Sequence, residues 1–242
     1  MTFITDIQSF FISLADRFYN TMIVDNRWHM LLEGLGNTLV IALFSLVIGV
    51  AVGIVVAIIK VAATLNRKSK LLKAFDFICN IYITIIRGTP VVVQLLIMYF
   101  VIFVSVTNAV LIAIISFGLN SGAYVAEIMR AGILAVDRGQ TEAGRSLGLS
   151  GMQTMRTIIL PQAIKNILPA LGNEFITLLK ETSIAGYIAI QDLTKAGDRI
   201  RFSTYDPFMP LIIVALIYLV MVIGLTKLLS AAERRLRKSD SR

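Results

Sequence analysis

The chain has 242 residues, 57% of them hydrophobic and 16% charged, with a mean hydropathy of +0.80 and a formal charge of +8. This is too apolar for a soluble domain of ordinary composition and describes an all-α integral membrane protein. One cysteine, Cys79, rules out an intrachain disulfide and a cysteine metal cluster, and the lone His29 has no His-rich partners, so no metal ligands or catalytic residues are assigned.

The first residues lack the basic lead and small-residue cleavage site of a signal peptide, and Asp6 stands where positive charge would be expected. Ile4, Ile7, Phe11, Leu14 and Phe18 instead recur at helical spacing, which predicts an amphipathic helix over residues 3–20. It either lies in the membrane interface or packs as a strap on other helices. With its lead-in it forms an extracytoplasmic region over residues 1–30.

A helix needs about 20 apolar residues to cross about 30 Å of hydrocarbon. Five stretches of that kind follow, at roughly 35–59, 74–104, 109–135, 162–183 and 207–230. The glycines of IGVAVGIVV, residues 48–56, read as close helix packing and not as a phosphate loop, and no G-x-x-x-x-G-K-[ST] is present. In the second stretch Gly88, Thr89 and Pro90 predict a kink, because proline lacks the N–H that a helix interior requires.

Polar residues recur inside three of these spans: Asp76, Asn80, Thr84 and Arg87; Asn120, Ser121, Tyr124 and Glu127; Asn173, Glu174, Thr177 and Glu181. Within each set the spacing of three and four favours one helix face, and the three stripes are read as lining one cavity or as polar glue between helices. Arg87 lies deep enough to need a partner, either a substrate carboxylate or an acid such as Glu127 or Glu174. Arg87, Asn120, Ser121, Tyr124, Glu127, Asn173 and Glu174 are therefore the substrate-binding candidates. Between the last two spans, residues 184–206 carry Asp192, Lys195, Asp198, Arg199, Arg201 and Asp206 and form a polar segment where an extracytoplasmic partner has room to dock.

Sixteen of the 23 lysines and arginines fall in 60–73, 130–165 and 227–242. With five spans, the positive-inside rule places these stretches in the cytoplasm and the N-terminus outside. One transmembrane domain, residues 31–236, then carries a cytoplasmic loop at 138–161, and residues 237–242 form a cytoplasmic tail.

That loop contains EAGRSLGLSGMQTMRTIILP, Glu142 to Pro161. Its spacing predicts a short helix broken at Gly148 and Gly151 that climbs through Met155, Ile158 and Ile159 into the next span. Glu142-Ala143, a glycine six residues after the glutamate, and the Ile-x-Leu-Pro-type ending resemble the coupling loop of ABC import permeases of the polar amino-acid group. RGTPVVVQLL at 87–96, SGAYVAEIMRAGI at 121–133 and LKETSI at 179–184 extend the resemblance over most of the chain. Gly144 stands where that family usually has alanine, which softens the local helix.

The resemblance implies a type I ABC importer permease fold with five transmembrane helices and a cytoplasmic coupling helix around 139–150. It implies a transport subunit, not an enzyme, in a bacterial plasma membrane. Glu142, Ala143, Gly144 and Gly148 would couple it to a cytoplasmic ABC ATPase dimer that uses ATP and Mg, with no cofactor on this chain. Above would sit an extracytoplasmic amino-acid-binding protein, and beside it a second permease subunit, a homodimer being favoured. The surplus of intramembrane acids points to basic L-amino acids among the polar ones. The rival is an ATP-independent amino-acid carrier or channel, which has no need of a stereotyped docking loop.

Overall fold

The computed structural model describes residues 2–66 and 68–238, and every element among them is helical. In chain order they are α1 (Thr2–Phe18), α2 (Trp28–Leu65), α3 (Lys70–Gly88), α4 (Val91–Ile97), α5 (Ala109–Leu134), α6 (Arg138–Ser146), α7 (Gly151–Thr154), α8 (Leu160–Glu181), α9 (Leu193–Thr204) and α10 (Met209–Lys238). The last four positions of the expected tail lie outside the described residues, as does the side chain of Ile4 on the expected amphipathic face.

The core is the pairing of α2 with α5, the most extensive helix contact in the molecule. Its cause is a reciprocal set of small residues. Gly49 and Gly53 lie one turn apart on α2, and Gly118 and Gly122 one turn apart on α5. A Cβ added at Gly49 would meet Ser121 at 2.8 Å, and one added at Gly118 would meet Ile48 at 2.7 Å. Between helices that share an apolar solvent, such close approach supplies the dispersion contacts that hydrophobic exclusion does not. Ile41, Ala42, Ala113 and Phe117 continue the packing toward Leu178, Leu179 and Ile188, all buried.

Among the described residues, three helices are long and apolar enough to cross a membrane: Trp28–Thr64, Ala109–Leu134 and Met209–Arg235. The expected span over 74–104 is not a straight one. Lys70–Gly88 and Val91–Ile102 pass the same test together, but are bent by 109°. The kink read from Gly88-Thr89-Pro90 is thus a near right-angle turn. Thr89 is extended, as a residue before proline must be, and α4 starts afresh at Pro90. The fourth expected span, 162–183, is helical as α8 but is not among those three; Lys165, Glu174, Lys180 and Glu181 dilute its apolar character.

The first expected helix, residues 3–20, is present as α1. Phe10, Phe11 and Ile12 are each more than 60% exposed, and the helix leans on little beyond the Tyr19–Ile23 turn that follows it. It is not a strap packed along other helices of this chain. The polar segment before α10 is more ordered than its charges imply. Asp192 is fully buried and caps α9, accepting from the backbone N–H groups of Thr194 (3.0 Å) and Lys195 (3.2 Å). Thr38 of α2 accepts from the Leu193 N–H at 3.1 Å, and Asn37 donates to the Gln191 carbonyl at 2.9 Å. These bonds tie the segment to the first half of α2.

Candidate functional site

Two regions carry the residues that the sequence singles out. The first is the corner between α6 and α7. Asp137 caps α6 by accepting from the Gly139 N–H at 2.7 Å. At the other end, the Leu149 N–H bonds the Gly144 carbonyl at 3.1 Å and the Gly148 N–H bonds the Arg145 carbonyl at 3.0 Å. This paired pattern closes a helix on a left-handed residue, and Gly148 has φ +83°. The next helix opens two residues later with a capping box: Ser150 Oγ accepts from the Gln153 N–H, and Gln153 Oε1 accepts from the Ser150 N–H. Gln162 of α8 then donates to Gln140 at 3.3 Å, joining the corner to the long helix.

Gly148 and Gly144 have different jobs. Nothing would lie within 4 Å of a Cβ on Gly148, so it serves backbone conformation and not close approach. Gly144 is buried, and a Cβ there would meet Thr154 Cγ2 at 2.7 Å and Ile158 Cδ1 at 3.0 Å. Its value is contact with the following turn, not a softened helix. The opposite face looks outward: Glu142 and Ala143 are exposed, and Leu147 is 80% exposed. The helix caps are satisfied within the corner, while the Glu142 carboxylate, without a bonded partner among the described residues, and the Leu147 side chain are left exposed.

The second region is a set of polar links radiating from α5. Asn120 is 3% exposed and donates to Gln94 Oε1 on α4 at 2.9 Å. Ser121, fully buried, donates to Glu174 Oε1 on α8 at 2.7 Å. The Arg87 guanidinium of α3 lies 5.3 Å from the centre of the Tyr124 ring, within cation–π range. Five of the seven substrate candidates, Arg87, Asn120, Ser121, Tyr124 and Glu174, therefore belong to links between α5 and its neighbours. The other two do not. Glu127 pairs with Arg130 one turn further along α5, and exposed Asn173 donates to the carbonyl of Pro169 on its own helix. Arg87 has neither Glu127 nor Glu174 within ion-pair distance among the described residues. Asp76 and Asn80 also turn elsewhere, to Lys60 of α2 at 3.2 and 2.6 Å.

Gln94 is the residue that sequence reasoning missed. Its amide donates to the Ile86 carbonyl at 2.7 Å, the acceptor that a residue other than proline at 90 would have served in an unbroken helix. It also reaches Thr89 O and Oγ1, and its own oxygen takes the Asn120 bond. The signal was one polar residue inside VVVQLL, four positions after the proline.

Several long apolar helices, a capped loop helix with an outward face and charged groups held between helices describe a multi-pass membrane protein. The family described as "Binding-protein-dependent transport system inner membrane component" matches residues 49–238, and the chain belongs to it. Its members are ABC transporter permeases, membrane transport subunits and not enzymes. The arginine transport system permease protein ArtQ of Bacillus subtilis (strain 168) is 40% identical over 87% of this chain and 94% of its own length. A putative glutamine transport system permease protein GlnP of Rickettsia typhi is 38% identical over 85% of this chain and 92% of its own. The crystal structure of an amino acid ABC transporter with histidines has 44% identity and a TM-score of 0.80, covering 88% of this chain and 96% of that one. An inward-facing structure of the MetNI methionine ABC transporter, 19% identical with a TM-score of 0.73, shares the fold. The resemblance read from the motifs is to this family, and the fold is that of its type I importers.

Proposed function

We propose that this chain is the membrane subunit of an ATP-driven importer of polar L-amino acids, with basic ones preferred. The observation that carries the reading is the α6–α7 corner, whose helix caps are made internally while Glu142 and Leu147 face outward. A rigid presented carboxylate is suited to charge-assisted bonds with a partner's arginine or backbone N–H groups, and a rigid corner transmits a pull without unwinding. Glu142 and Ala143 form the contact with a cytoplasmic ABC ATPase dimer, which binds the ATP and Mg, while Gly144 and Gly148 shape the corner that presents them.

In this reading α2, the bent α3–α4 pair, α5, α8 and α10 are five spans, the N-terminus is outside and the C-terminal tail is cytoplasmic. Residues 1–30, 31–236 and 237–242 are the interfacial lead-in, the permease domain and the tail. Two copies enclose the path, and an amino-acid-binding protein delivers substrate from outside. Arg87, Tyr124, Ser121, Asn120 and Glu174 contact the substrate, Arg87 taking its carboxylate and Glu174 a cationic group. Glu127 and Asn173 enter the site only after rearrangement. The preference for basic substrates is supported by Glu174, which has a hydroxyl and no cation as its bonded partner among the described residues, and by the named arginine relative.

Uptake of labelled arginine, glutamine and leucine into vesicles holding the assembled transporter tests this. ATP-dependent uptake of arginine above the other two, lost in Glu174→Gln, is expected. Equal uptake without ATP would hand the function to a carrier.

A further inference from the structure

Beside the α2–α5 pair, at the end of the molecule that carries the α6–α7 corner, two hollows adjoin across Ala57, Val61, Ile133 and Met155. They differ in character. One, of about 580 Å³, is walled by aliphatic and methionine side chains of α2, α5, α8 and the corner, among them Ile58, Ile164 and Met152. The other, of about 330 Å³, carries the charged heads of Lys60, Asp76 and Arg130. The geometry points to a bound phospholipid with an ammonium headgroup, a phosphatidylethanolamine, its acyl chain in the first hollow and its headgroup in the second.

Charge complementarity selects this occupant. Lys60 has three N–H donors and gives two, to Asp76 Oδ1 at 3.2 Å and Asn80 Oδ1 at 2.6 Å, which leaves one for a phosphate oxygen. Arg130 uses Nε and one Nη2 donor on Glu127, so its Nη1 donors stay available to the same phosphate. Asp76, the acid among the lining residues, then stands ready for a primary ammonium. The mouth holds two cations for a phosphate and one acid for an ammonium, the pattern of a zwitterion. An anionic headgroup brings no cation to Asp76, and a quaternary ammonium has no N–H to give it. A second copy of this chain would bring an apolar helix to the groove but nothing for the mouth, while a free amino acid would fill the mouth and leave the groove. Lys60, Arg130 and the groove walls have no part in the coupling or substrate contacts assigned above. Because Met152 and Met155 form part of the walls, the lipid rests against the turn that joins the corner to α8.

Native mass spectrometry of the purified full-length chain, incubated with phosphatidylethanolamine, phosphatidylcholine and phosphatidylglycerol of matched acyl chains, tests the assignment. One phosphatidylethanolamine per chain is expected, retained about tenfold over the other two, as charge-assisted hydrogen bonds to the headgroup imply. Lys60→Gln combined with Arg130→Gln should remove the headgroup preference, and Ile164→Trp should remove retention by filling the groove. If Ile164→Trp does not fold, Ile58→Trp blocks the opposite wall. Equal retention of the three lipids by the native chain, or unchanged retention in the variants, overturns the proposal. So does a loss of dimer in Ile164→Trp with lipid kept, which gives the groove to a second copy, or displacement of the lipid by free lysine, which gives the mouth to a soluble zwitterion.

Discussion

The α6–α7 corner and the α5 links use polar groups in opposite ways. In the corner, hydrogen bonding is local: Asp137, Ser150 and Gln153 cap their own helices, and Gly148 closes α6 within five residues. Side chains such as Glu142 and Leu147 are left over. Along α5 the polar groups reach across to other helices, over 26 residues from Asn120 to Gln94 and 53 from Ser121 to Glu174. The first arrangement makes a rigid object with an open face; the second fixes helices against one another where no water is present to substitute. The proposed function uses both, the corner as a handle that does not deform and the α5 links as contacts that can be exchanged.

The largest expected break in this contrast is at Gln94. Gln94→Leu leaves the Ile86 carbonyl and the Asn120 amide without partners at the bend and is expected to cost about 2–6 kcal/mol at about 1–3 per unsatisfied group. Thermal unfolding in detergent should show the loss, and Gln94→Glu, which keeps the acceptor for Asn120, should recover part of it. In the corner, Gly144→Leu drives a side chain into Thr154 and Ile158, at about 1–3 kcal/mol for overpacking. Its signature is faster proteolysis of residues 138–160, with the α5 core unchanged. Gly148→Ala should cost about 1–2 kcal/mol, since only the left-handed backbone resists it.

The smallest effect concerns Asp192. Burial pushes its carboxyl up from the ordinary value, against the backbone N–H bonds of Thr194 and Lys195 that pull it down. The folded chain then keeps this proton at pH values where the unfolded chain has lost it. The contribution to stability is full below the ordinary aspartate value and is lost as pH rises through the raised one. Asp192→Asn should flatten the slope of unfolding temperature against pH in that acidic window, and an unchanged slope would remove Asp192 from the account.

Much of this was legible from the residues. Hydropathy marked α2, α5 and α10, the glycines in IGVAVGIVV announced close packing of α2 though not that α5 would be its partner, and Gly88-Thr89-Pro90 announced the bend. The size of the bend was not legible, because it depends on Gln94 satisfying a carbonyl eight residues back, a pairing with no periodic signature. Stripes gave the face on which Ser121 and Glu174 lie, but not that Asn173 would bond its own turn beside Pro169, since a proline frees a local acceptor that periodicity ignores. Glu127 and Arg130 sit three apart on one helix and form an ion pair that competes with any longer reach to Arg87. Gly144 read as a weak helix former, and its contact with Thr154 needed the tertiary structure.

The central claim is that the corner is a handle for an ATPase, and co-purification tests it most directly. The chain and its cognate ABC ATPase are co-expressed, isolated in detergent and quantified, with Glu142→Ala alongside the native sequence and ATP hydrolysis measured on both. The account predicts stoichiometric ATPase on the native chain and about tenfold or greater loss in the variant, the scale of a charge-assisted hydrogen bond. Equal retention on both chains, or association with neither, would contradict it.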